Sequence, residues 1–142
     1  MDDRAGEQAS IDPPRQRSKG RGRIDPALLE RVNALCHRVV DVADAIAEQG
    51  RNRRVVDQLY GCGTSVGANC FEADEAHSRK DFCRCLVIAI KELAEVRFWL
   101  RFVATRGWFA TATLSPLLDE AEQVKRILGA IVYRTRRNDA AA

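Results

Sequence analysis

Apolar residues recur along this chain at steps of four and three. One such stripe runs through Leu28, Val32, Leu35, Val39, Val42 and Ile46. A second passes through Val55, Leu59, Cys62, Val66, Cys70 and Ala73, and a third through Phe82, Leu86, Ala89, Leu93, Val96, Leu100 and Val103. A fourth joins Leu117, Ala121, Val124, Leu128 and Ile131. Steps of three and four place successive side chains on one side of an α-helix. The period-two alternation of a half-buried strand is absent. Four one-sided helices joined by short loops bury their stripes only against one another. The pattern therefore predicts an all-α, up-down-up-down antiparallel four-helix bundle.

The punctuation agrees with the stripes. Asp25 can cap the first helix, with Pro26 at the first helical position where its missing N–H costs nothing. Gly50 is a natural stop, and a second helix follows from about Arg53 to Glu75. Ser78, with Asp81 three residues later, resembles a capping box for the third helix, which ends near Gly107. Thr113 is a candidate cap for the fourth, with Pro116 tolerable only in its first turn. Residues 1–24 read as a flexible basic tail, 25–137 as the bundle and 138–142 as a disordered end.

At 142 residues the chain holds one domain with one core. No apolar run approaches the roughly 18 residues of a membrane span, and the first residues lack a signal-like apolar region. A cytoplasmic protein with no membrane partner is expected. The five cysteines, Cys36, Cys62, Cys70, Cys83 and Cys85, are odd in number, which argues against a disulfide framework in a reducing compartment. Cys70, His77, Cys83 and Cys85 invite a zinc reading, but Cys83 and Cys85 stand about 200° apart on a helix. Buried small hydrophobes account for them better, so neither metal nor cofactor is expected.

The segment Gly63-Thr64-Ser65-Val66-Gly67 fits the G-x-S-x-G turn that presents a hydrolase nucleophile. That turn needs a strand before it and a sheet beneath it, and this chain supplies neither. Its only histidines, His37 and His77, make poor triad partners, and phosphate-loop spacings do not complete. No catalytic residue is assigned and the chain is not expected to be an enzyme. Small residues at Gly63 and Cys70 instead fall on the apolar face, where they admit a neighbouring helix.

Two surfaces remain. Gly61, Ser65, Ala68 and Glu72 lie on the far side of the second helix; Ile88, Phe98, Trp99 and Phe102 lie off the main stripe of the third. Helices apolar or small on two sides are buried on two sides, so Gly61, Ala68, Glu72, Ile88, Phe98, Trp99 and Phe102 are the expected oligomer interface. For Glu72 an ion pair between helices or subunits is expected. Net charge is only +3, so any case for nucleic acid must come from where the charge sits. Arg51, Arg53 and Arg54 form one cluster and Arg134, Arg136 and Arg137 another, while Arg15, Arg17, Lys19, Arg21 and Arg23 follow one another in a stretch without acids.

Residues 63–100, GTSVGANCFEADEAHSRKDFCRCLVIAIKELAEVRFWL, resemble the signature of the four-helix proteins of the 23S rRNA intervening-sequence family. The matching positions are Gly63 to Asn69, Glu72, Ala73, Ser78, Lys80, Asp81, Phe82, Ile88, Ala89, Lys91, Glu92, Glu95, Trp99 and Leu100. The family has Arg-Ser before Gly-Thr-Ser, where this chain has Gly61-Cys62. The resemblance implies a ring-shaped homopentamer. It extends to accessory variability proteins of diversity-generating retroelements, which work with a reverse transcriptase and bind nucleic acid. The expected function is a non-catalytic oligomer that binds RNA or DNA through basic surfaces. A protein-interaction adaptor without nucleic-acid contact is the alternative.

Overall fold

In the computed structural model, residues 24–141 are described; they contain four α-helices and no strand. These are α1 (Pro26–Glu48), α2 (Arg53–Asp74), α3 (Arg79–Thr105) and α4 (Thr111–Ala140). Three of the four starts are capped by side chains. The Asp25 carboxylate accepts the Ala27 N–H at 2.8 Å, Asn52 Oδ1 accepts that of Arg54 at 2.9 Å, and Ser78 Oγ accepts that of Asp81 at 3.0 Å. Gly50 and Gly107 turn the chain after α1 and α3 at φ of 70° and 72°, the left-handed region that side chains disfavour.

Each helix packs along the next in sequence, and α4 returns to touch α1. The register is direct to read. Val39 and Cys36 of α1 face Gly63 and Gly67 of α2, while Arg97 and Arg79 of α3 pair with Glu122 and Asp139 of α4. In both pairs, residues ascending one helix meet residues descending the other. The stripes named above form one buried cluster with Phe82, Leu35, Ile46, Leu59, Leu86, Leu93, Leu100 and Leu128 at its centre. All five thiols are free and buried.

The fold departs from the sequence reading at three places. Ile24, placed with the tail, is buried at 4 % exposure, and its N–H donates to Asp74 Oδ1 at 3.1 Å. Helix α4 starts at Thr111 rather than after Thr113, with no side-chain cap, because Leu114 already belongs to the core. Pro116 consequently lies inside the helix and withholds one donor from its ladder. At the other end α4 continues through residue 138 to Ala140, so 138–140 are helical rather than disordered, with Asp139 tied to Arg79 at 2.8 Å.

Candidate nucleic-acid interface

Whether the basic clusters can act together depends on which end of the helices each occupies. The α1–α2 turn carries Arg51, with Arg53 and Arg54 opening α2. Gln49 donates to the Trp108 carbonyl at 3.2 Å, and the Arg51 guanidinium lies 5.3 Å from the Trp108 ring, so this turn shares an end with the α3–α4 turn. Arg53 is drawn back along its own helix toward Asp57 at 3.6 Å.

The second cluster stands at the opposite end. Arg134, Arg136 and Arg137 are exposed on the last turns of α4, where Arg79 of the α2–α3 turn region reaches Asp139. Arg137 lies 5.9 Å from the Tyr133 ring. Arg134 and Arg136 leave α4 on different sides. Arg134 borders a groove of about 650 Å³ between α1 and α4, with Arg31, Leu28, Phe82 and Ile131. Arg136 borders one of about 480 Å³ on α3, with Lys80, Arg84, Val87, Ile88 and Lys91. Arg84 is paired with Asp81 at 2.7 Å. Among the described residues, Lys80, Lys91, Arg134 and Arg136 have no carboxylate partner.

The two clusters predicted from sequence are therefore separated by the length of the helices. Arg15, Arg17, Lys19, Arg21 and Arg23 lie outside the described residues. Their chain joins the fold at Ile24, held by Asp74 at the last turn of α2, which is the Arg134–Arg137 end. Lys80, a signature position, belongs to neither basic cluster read from the sequence, although an antiparallel course puts the start of α3 beside the end of α4.

The expected assembly face divides as well. Gly61, Ala68 and Glu72 line the exposed side of α2, and a Cβ at Gly61 would meet nothing within 4 Å. Glu72 is exposed and has no ion-pair partner within the described chain. On α3, Phe98 is 57 % exposed and heads a chain of ring contacts: Phe98 to Trp99 at 4.9 Å, Trp99 to Phe102 at 5.6 Å, Phe102 to Trp108 at 5.9 Å. Trp99 also donates to Glu95 at 3.4 Å, and Ile88 is half-buried. Ser65 sits mid-helix with its Oγ accepting from Asn69 at 3.1 Å, so Gly63–Gly67 forms continuous helix and no nucleophile turn.

A family model that describes the 23S rRNA-intervening sequence protein matches residues 27–130, a span that includes this segment. The chain belongs to that family. Within the 23S rRNA-intervening sequence family it is similar in structure to a protein of unknown function from the S23 ribosomal protein family of Bacteroides thetaiotaomicron. The two agree at a TM-score of 0.71 and 25% identity over 74% of this chain and 97% of that one. No curated protein matches the chain. The family match takes in Arg51, Arg53 and Arg54 and stops short of Arg134, Arg136 and Arg137. Among the described residues no helix is long and apolar enough to cross a membrane.

Proposed function

We propose that this intervening-sequence family member is a non-catalytic, up-down-up-down four-helix bundle that assembles as a ring-shaped homo-oligomer and binds RNA or DNA at one end. The observation that carries the reading is the bond from Ile24 to Asp74. It fixes Ile24, which directly follows a segment with five cationic residues between Arg15 and Arg23, at the end occupied by Lys80, Arg134, Arg136 and Arg137. The described fold is close to charge balance, with 17 basic and 16 acidic residues from position 24 onward. Affinity for phosphates therefore rests on concentrating cations locally, and a ring repeats that concentration once per subunit.

Binding through phosphates releases counterions, so log K falls with log salt at a slope of about −0.9 per phosphate on duplex and about −0.7 on single strands. Micromolar binding near 50 mM salt should weaken at least tenfold by about 200 mM. Replacing Arg134, Arg136 and Arg137 with Gln should flatten the slope, and removing residues 1–23 should flatten it further. The same changes at Arg51, Arg53 and Arg54 should matter less, since Ile24 enters the fold at the other end. A correctly assembled oligomer that ignores RNA and DNA at low salt overturns the reading. The near-neutral folded region and exposed aromatic face would then favour the second reading, a protein adaptor, for instance to a reverse transcriptase.

A further inference from the structure

Two faces of the fold leave aromatic side chains exposed, and they are chemically unlike. The outward face of α3 presents Phe98 and Phe102 beside a shallow groove of about 450 Å³ lined by Ala94, Arg97, Arg101 and Thr105. Lys91 and Arg101 on this face have no carboxylate partner among the described residues, whereas Arg97 is engaged by Glu122 at 2.7 Å. The other face is the groove between α1 and α2, about 330 Å³, walled by His37, Val40, Tyr60, Thr64, Ala68 and Phe71. Tyr60 and Phe71 are 38 % and 49 % exposed. The Tyr60 hydroxyl donates to Asp44, with Asp41 close enough to act on the same phenol. Neither carboxylate has a lysine or arginine partner among the described residues.

We infer that the α3 face of one copy seats in the α1–α2 groove of a second copy, a contact between two different surfaces that can close into a ring. The inference rests on the self-association proposed above and names the surfaces that would meet. Two α3 faces brought together would set Lys91 and Arg101 against their own copies, and two α1–α2 grooves would oppose Asp41 and Asp44 to themselves. Crossed pairing instead matches cation to carboxylate and ring to aromatic-walled groove. A dissimilar contact of this kind repeats head to tail until the rotation closes.

Phe98→Glu and Phe71→Glu test it, because both side chains are exposed and each variant retains the other face. Sedimentation velocity at tens of micromolar should give an oligomer for the unsubstituted chain and a monomer for each variant, with unchanged helical circular dichroism. An equimolar mixture of the two variants should form a 1:1 pair that grows no further, since only one intact contact can be made. An oligomer for the unsubstituted chain that Phe71→Glu leaves at full size, or a mixture that stays monomeric, overturns the crossed contact and spares the assembly. A monomer from the unsubstituted chain removes both.

Discussion

A Cβ on Gly63 would stand 2.8 Å from Val39 Cγ1, closer than packed side chains tolerate. Val39 is 1 % exposed and branched at Cβ, so its methyl has one preferred rotamer and little room to retreat. Gly63→Ala should therefore destabilise the fold by about 1–3 kcal/mol despite the better helix propensity of alanine. Gly61→Ala, two residues away with open space around it, should gain up to about 1 kcal/mol. Urea unfolding of the two variants should move the midpoint in opposite directions. Equal shifts would mean that α1 and α2 do not meet at Gly63.

Asp74 is buried at 8 % exposure and accepts the Ile24 N–H. Replacing it with alanine leaves that donor without its carboxylate, at a cost of about 1–3 kcal/mol. Ile24 should then lose its protection, which amide hydrogen exchange at Ile24 would report. If the chain entry is held by apolar burial alone, exchange there will not change.

Two glutamates should respond to pH in opposite senses. Glu120 is held below the usual glutamate range by the hydrogen bond from Arg31, whose guanidinium also reaches Gln123 at 2.8 Å. Its contribution is complete above about pH 4.3 and is lost as pH falls through the lowered folded value. The pair is part-exposed, so its worth is under about 1 kcal/mol. Glu92 is pushed up, first by burial and then by Glu95, so its contribution is complete below about pH 4.3 and lost as pH rises through the raised value. Thermal unfolding at pH 7 should show Glu120→Gln less stable and Glu92→Gln more stable than the parent chain. At pH 3 both differences should shrink. Like-signed changes at pH 7 would contradict these environments.

Burial pushes the Cys62 and Cys70 thiols up to about 12, helped at Cys62 by Glu95 and Glu92 and at Cys70 by Cys36 and Cys85. Each then holds on the order of one thiolate in ten thousand at pH 8, and thiolate is the reactive form. A colorimetric disulfide reagent should leave these two thiols untouched in the native chain and titrate all five in guanidinium. Prompt native reaction at either position would place it at the surface.

The four helices were legible because every stripe is long and each of the first three begins on a polar cap. The start of α4 was not, because Ala110 offers no capping atom and Leu114 was left out of a stripe drawn from Leu117. Ile24 carried a readable signal, an apolar residue immediately before the cap, which is the position of a hydrophobic staple. The assembly residues were legible in type but not in place. Gly61 and Phe98 lie on different helices, and helical spacing within one element does not say what two faces share. The exposure of Phe71 and Tyr60 was not legible, because each lies at the edge of the α2 stripe, where an aromatic residue reads as core.

The Ile24 and Asp139 anchors place both ends of the described fold beside the α2–α3 turn. A fluorophore or affinity handle attached directly at Ile24 or at Ala141 would thus crowd Arg134–Arg137 and leave the Trp108 end clear. The same proximity makes the chain suited to circular permutation. A short linker from Ala141 to Ile24 in place of residues 1–23, with new termini opened at Gly50 or Gly107, cuts only a tight turn where a Cβ on the glycine would meet nothing within 4 Å. A permutant opened at Gly107 would move both free ends to the aromatic end of the molecule, turning it over relative to whatever surface it is tethered to.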